Sequence, residues 1–246
     1  MKGYFKGIFV LGISIAIVHC NEPEAGNTGT AIMDSTERPK EQSEVALFNG
    51  TNLDGWHAFN KPGEIKNWVV VDSALVCLGA AKGDTGGDIV TDTEYGNFEL
   101  SWDWKVDKGS NSGVMYHVVE DKKYKAPYET GPEYQIIDDI GFPGKLEEWQ
   151  KAGADYAMKL PNDKKKLQPV GSWNSSKIVF NNGHVEHWLN GEKIIDFEVG
   201  TEEWKKEKMT GKWKDYPDYA MVKRGRIALQ DHGKKAYFKN IRIKEL

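Results

Sequence analysis

Glu133 and Gln135 stand two residues apart in "GPEYQIID" (131–138), with Tyr134 and Ile136 between and after them. In a strand the acid and the amide share one face and the two apolar residues the other. A carboxylate can take up or deliver a proton, and an amide can both donate to and accept from hydroxyl groups. The alternative is a solvated strand face. In "GRIALQDHG", Ile227 and Leu229 suit a core, which puts Arg226, Gln230 and His232 on the opposite side. Two such strands predict one polar surface carrying a base, amides and an imidazole, although His232 beside Gly233 would also suit a turn. In "HVEHWLNG", His187 shares a face with Val185 and Leu189, and His184, Glu186 and Trp188 share the other. His187 is a core histidine if the valine face is buried and a groove residue if Trp188 points inward. His184 and Glu186 make at most a two-ligand metal site, short of what zinc requires. "KGSNSGVMYHV" offers Asn111, Tyr116 and His117, of which the adjacent last two point to opposite faces in a regular strand. There is no Gly-x-Ser-x-Gly elbow, Cys–His pairing or phosphate-cradling loop. One carboxyl, Glu133, falls on the expected groove face, where ordinary glycoside hydrolysis uses two.

The elements that must hold these residues alternate with period two. In "NFELSWDWKV", Phe98, Leu100, Trp102, Trp104 and Val106 alternate with Glu99, Ser101, Asp103 and Lys105. "HVEHWL" and "KIIDFEV" flank Asn190–Gly191, a strong hairpin signal. "GRIALQ" and "AYFKNIRIKEL" pair across "DHGKK", and helical periodicity is confined to "TEEWKKEKM" and, more weakly, "KLEEWQKAG". The expected fold is all-β, an antiparallel β-sandwich or jelly roll with long loops and one or two short helices. Residues 138–175 and 201–224 break the strand rhythm, and their Trp, Tyr and Pro residues suit ordered walls of a binding site.

The 246-residue chain has nine Trp, ten Tyr, a formal charge of −4 and only four arginines, Arg38, Arg224, Arg226 and Arg242. That balance lacks the footprint of a nucleic-acid binder. Residues 1–20 read as a signal peptide: Lys2 and Lys6 precede an apolar run, Ile8 to Val18, that ends at Cys20. A cysteine there suits lipoprotein cleavage and acylation, so the chain is expected to be exported and anchored to a membrane, periplasmic or at the cell surface. Residues 21–44 read as a flexible tether and 45–246 as the folded domain. Cys77, in "ALVCLG", reads as a buried small hydrophobe, with a Cys20–Cys77 disulfide as the alternative.

"LFNGTNLDGW", "SNSGVMYH", "GPEYQIID", "SWN", "VEHWLNG" and "GRIALQDHG…FKNIRIKEL" occur in this order over residues 47–246. Together they resemble the 3-keto-disaccharide hydrolase family, which is similar to concanavalin A-like jelly rolls and abundant in glycan-degrading bacteria. The resemblance implies an oligosaccharide or glycoside substrate with a keto group at C3. That group acidifies the C2 proton, so the C1 substituent leaves by elimination and water then adds to the enone. It further implies Glu133 as base and His232 or His187 as acid or enolate donor, with Gln135, Asn111, His117, Arg226 and Gln230 on sugar hydroxyls and Trp173 as a stacking wall. A divalent ion is the alternative enolate stabiliser. A non-catalytic, lectin-like surface lipoprotein is the rival reading, and an envelope scaffold the third.

Overall fold

The structure, a computed structural model, describes residues 43–61, 63, 65–79 and 87–246. The expected signal peptide, Cys20 and all but the last two residues of the expected tether lie outside the described residues. Among the described residues the chain from Val45 onward forms thirteen strands and one α-helix. The strands are β1 (Val45–Ala46), β2 (Trp56–Ala58), β3 (Trp68–Val71), β4 (Ala74–Cys77), β5 (Ile89–Tyr95), β6 (Phe98–Val106) and β7 (Asn111–Val118). They continue with β8 (Glu133–Ile137), β9 (Asn174–Asn181), β10 (His184–Leu189), β11 (Glu192–Glu198), β12 (Gly225–Leu229) and β13 (Ala236–Glu245); α1 (Glu202–Thr210) lies between β11 and β12. The strands form two antiparallel sheets. The larger runs β11-β10-β9-β6-β13-β4-β3, with β1 also on β13, and the smaller runs β2-β5-β12-β7-β8, so β12 and β13 do not pair across "DHGKK" as expected but lie in different sheets, the connection crossing between them.

The alternation of β6 holds throughout, with its five apolar residues buried and its polar ones partly exposed. They face Val114, Tyr116, Tyr134, Ile136, Ile227 and Leu229 of the smaller sheet in one hydrophobic core. Burying such large side chains on both inner faces is what drives the sheets together. The β10–β11 turn has Asn190 and Gly191 both at positive φ, 50° and 88°, as an Asn-Gly hairpin turn requires. Cys77 is a free, buried thiol.

Helix α1 starts where Thr201 Oγ1 accepts the Trp204 backbone N–H at 3.2 Å, with Glu202 and Glu203 in the first turn. The second expected helix is absent: "KLEEWQKAG" yields one 3-10 turn, Glu148–Gln150, which buries no residue. A polar segment this short lacks the apolar stripe that stabilises a helix by packing. The chain beyond it runs along β8 instead. Gly153 N donates to Gln135 O at 2.8 Å, Gln135 N to Ala154 O at 3.0 Å and Tyr156 N to Glu133 O at 3.0 Å. These bonds cover the edge of the smaller sheet and fix Glu133 and Gln135 between two lines of backbone.

Candidate active site

The face of the smaller sheet turned away from the core carries a second, small hydrophobic cluster: Phe59, Val90, Met115, Val118 and Ala228, with Tyr124 and Tyr128 against it. Register places a row across this face. Glu133 lies opposite Met115, Ala228 opposite both Met115 and Val90, and His57 opposite Val90. Five strands at about 4.8 Å span about 19 Å, room for a short saccharide. The neighbouring row begins with Gln135 opposite Gly113. It continues through Gln230, whose N–H donates to Gly113 O at 3.0 Å. Next comes Asp88, whose Oδ1 accepts the Asp231 N–H at 2.8 Å and whose carbonyl accepts the Phe59 N–H at 2.9 Å.

Glu133 is only 4% exposed, yet its carboxyl has no hydrogen bond or ion pair among the described residues. Desolvation pushes its pKa up to about 8; the charges of Asp88 and Asp155 add to the rise, and Lys212 opposes it. Gly113 makes the space it occupies, since a Cβ there would stand 2.1 Å from Glu133 Oε1. Asp88 is likewise pushed up by desolvation, to about 7, and its charge acts on both Glu133 and Tyr128. Two carboxyls that hold protons near neutrality therefore serve one face. Beside them the side-chain oxygens of Asn111 and Gln230 are buried with no partner among the described residues, whereas Gln135 Oε1 accepts the Ile136 N–H at 3.0 Å. Unpaired buried acceptors are costly unless a ligand brings donors, which sugar hydroxyls are.

Segments from the two long loops wall this face. Lys212 is exposed as a residue, but its ammonium lies 4.2 Å from the Tyr156 ring centroid and 4.5 Å from that of Trp213. Burial lowers the Lys212 pKa and the Glu133 charge opposes that. Tyr128 stands 5.4 Å from the same ammonium, so an aromatic wall with one cation borders the Glu133 end.

Glu133, Gln135, Asn111 and Gln230 thus share the expected face, and the structure corrects four other expectations. His187 is 0% exposed, with Nδ1 3.1 Å from Gly153 O and its ring 4.7 Å from Tyr134. It lies between the sheets, on the side of β8 opposite Glu133; its valine-side neighbours are the buried ones, and desolvation lowers its pKa to about 4. His117 also leaves the groove. Its φ of 53° breaks the strand alternation, so its ring packs 4.3 Å from Phe180 and 5.4 Å from Tyr116 rather than opposite Tyr116. Trp173 is no stacking wall here: it lies against the outer side of the larger sheet, under the ammonium groups of Lys105 at 5.0 Å and Lys239 at 4.2 Å. The Arg226 guanidinium is committed to Glu120 at 2.9 Å and to the carbonyls of Thr91 and Asp92. His57, between Asp92 at 2.6 Å and Glu120 at 2.7 Å, belongs to the same network. His232 is exposed on the β12–β13 connection, without a hydrogen bond among the described residues.

Asp88, Lys212 and Tyr156 were missed. Asp88 precedes a strand and Lys212 and Tyr156 lie in aperiodic loops, so face-sharing within one strand cannot find them. The one three-ligand cluster among the described residues is His184, Glu186 and Asp196. Lys193 already bonds to both of its carboxylates, at 2.9 Å for Glu186, so an ammonium occupies the place a cation would take.

Fold and site together define a β-sandwich of the carbohydrate-active kind, with buried acids and unpaired amides on one sheet face. Residues 43–244 match the 3-keto-alpha-glucoside-1,2-lyase-like domain, and the chain belongs to that family. It is 30% identical over 243 residues to the 3-keto-disaccharide hydrolase of Bacteroides thetaiotaomicron, covering 88% of this chain and 83% of that one. A candidate glycosyl hydrolase from Parabacteroides distasonis ATCC 8503, known from a crystal structure, is 48% identical with a TM-score of 0.77, over 82% of this chain and 94% of that one. A second crystal structure from that organism, also of a candidate glycosyl hydrolase, is 29% identical with a TM-score of 0.63, over 83% and 100%. A Bacillus subtilis protein of galectin-like fold, 14% identical with a TM-score of 0.50, shares the fold over 82% and 94%.

Proposed function

We propose that this chain cleaves 3-keto glycosides on the outer face of the smaller sheet, with Glu133 as the base. The observation that carries the reading is the Glu133 carboxyl: buried, unpartnered among the described residues, and titrating at about 8. A base whose pKa lies near the operating pH combines a usable ionised fraction with useful proton affinity. Glu133 takes the C2 proton, and the C2–H electrons form an enolate with the C3 carbonyl. The enolate collapses to expel the C1 oxygen substituent, which takes a proton from an acid. Water then adds across C1 and C2, returning a hydroxyl to C1 and a proton to C2. Elimination followed by hydration joins the words lyase and hydrolase in the family's and the relative's names.

Asp88, which keeps its proton to about pH 7, is the acid we assign, with His232 as the second candidate. The Lys212 ammonium offers charge to the enolate oxygen. Asn111, Gln230 and Gln135 receive sugar hydroxyls, and Tyr156 and Tyr128, rather than Trp173, supply the stacking wall. The test is turnover of a chromogenic 3-keto-glucoside beside its unoxidised parent. Release of chromophore from the keto compound alone, abolished in Glu133→Gln, is the expected result. Tight binding of unmodified oligosaccharides without turnover of the keto form would overturn the reading in favour of a lectin.

Export with acylation at Cys20, to the periplasm or cell surface, belongs to the same reading and rests on sequence. Mass spectrometry of the native mature N-terminus decides it; an unmodified terminus, or one starting elsewhere, removes the anchor.

A further inference from the structure

His117, misplaced when its strand is read as regular, lines a separate pocket of about 690 Å³ formed by the ends of β7 and β9, by α1 and by the loop before β12. A cavity of this size falls within the usual range for small-molecule sites, about 300–1,000 Å³. Its lining is largely apolar, with Phe180, Trp204, Met209 and Met221 prominent. Met209 and Met221 are 63% and 62% exposed, apolar surface that no part of the described chain covers.

The charges around it have one sign. Four lysines and no Asp or Glu line the pocket, in a chain of net charge −4. Lys205 is paired with Glu202 at 2.7 Å, and Lys208 donates to Pro217 O at 2.9 Å and Tyr219 O at 2.8 Å. The ammonium groups of Lys214 and Lys223 have no such partner among the described residues.

The imidazole of His117 is 2% exposed. Its Nε2 lies 2.8 Å from Gly96 O, and a carbonyl only accepts, so Nε2 carries the proton. Nδ1 is then a lone-pair acceptor, with no partner among the described residues. Desolvation lowers the ring's pKa to about 4, which keeps it neutral at physiological pH. The left-handed backbone that aims this ring is held by its neighbour, since a Cβ at Gly225 would stand 2.5 Å from the His117 carbonyl carbon. A strained, buried, half-paired polar side chain lining an open apolar pocket is a built feature.

We propose that this pocket is a second binding site, separate from the Glu133 face, for a small anionic amphiphile. Its apolar body packs on Phe180, Trp204 and the two methionines, its carboxylate or sulfonate pairs with Lys214 and Lys223, and one N–H or O–H donates to His117 Nδ1.

The probe is anilinonaphthalene sulfonate, which carries an aromatic body, an N–H and a sulfonate. Fluorescence titration of the native protein should show one saturable site in the micromolar range, and the probe should raise Tm, as a ligand of the native state does. Lys214→Glu with Lys223→Glu should weaken binding about tenfold or more, an effect that salt diminishes. Met221→Trp, closing the mouth, should abolish it. These three positions are exposed, so the variants keep the native Tm without probe. Glu133→Gln should bind the probe unchanged. Absence of saturable binding up to millimolar probe, a probe-induced fall in Tm, binding that survives both pocket variants, or loss of binding in Glu133→Gln would each overturn the proposal.

Discussion

The two faces of β8 treat polar groups in opposite ways. On the inner face Tyr134 is fully buried and its hydroxyl is satisfied by Ser176 Oγ at 2.9 Å and Trp188 O at 3.2 Å. On the outer face, one residue earlier, Glu133 is almost as buried and has no side-chain partner among the described residues. The inner face has its own orphan, His187 Nε2, but its ring is sealed between the sheets, where no ligand reaches. A protein that leaves buried acceptors unpaired pays in stability for groups that a ligand can complete. The comparison separates a polar core group from a polar site group by what lies beyond it.

The largest expected effect comes from exchanging the two roles. Glu133→Gln should lower turnover of a 3-keto-glucoside by about two to four orders of magnitude with the fold intact. Tyr134→Phe should do the reverse, costing about 1 kcal/mol or more in denaturant unfolding and little in rate. A Glu133→Gln enzyme that keeps its rate would remove the distinction between the faces. Gly113→Ala should come next: the added methyl meets the Glu133 carboxyl, so activity should fall at least about tenfold, with about 1–3 kcal/mol of destabilisation from overpacking.

The faces also carry opposite pH signatures, read in stability. The outer acids hold their protons to about 8 for Glu133 and about 7 for Asp88 in the fold, whereas the unfolded chain releases them near 4. Between those limits the unfolded state binds fewer protons, so their contribution to stability falls as pH rises from about 4 to about 8. The two buried imidazoles behave inversely. His117 and His187 are lowered to about 4, and unfolded histidine protonates near 6.5. Their contribution is present above about 6.5 and is lost as pH falls toward 4. Each group is worth on the order of a few kcal/mol across its window. Urea unfolding against pH should therefore show Glu133→Gln flattening the alkaline decline and His187→Phe flattening the acidic one. Turnover should be bell-shaped in pH, rising to a maximum between about 7 and about 8 as Glu133 ionises and falling above it as Asp88 loses the proton it must deliver; a falling limb that survives in Asp88→Asn would make Glu133 an acid instead.

The smallest effect is expected away from both faces of β8. Trp173→Ala should leave kcat and KM within about twofold and cost on the order of 1 kcal/mol, the value of lost packing and two exposed cation–π contacts. A large rise in KM would put Trp173 back in the site.

Sequence alone determined the strands and the composition of this face. Alternation in β6, the Asn190–Gly191 turn and the shared side of Glu133 and Gln135 follow from a side-chain period of two, which is local and survives into the fold. The same period placed Gln230 with them, because Ile227 and Leu229 had to be inside. What it does not decide is which face of a mixed strand meets the other sheet; the inward packing of Val185 and Leu189 is what buries His187. It misjudged His117, because a single positive φ, supported by a distant glycine at 225, resets the alternation. It could not find Asp88 or Lys212 at all. They reach Glu133 across two intervening strands and from a loop some eighty residues away, and only the closing of the sheets and the folding of the 201–224 segment set those neighbours. Periodicity says which residues travel together along a strand; desolvation, and with it the proton affinity of a buried acid, is fixed by everything that packs over them.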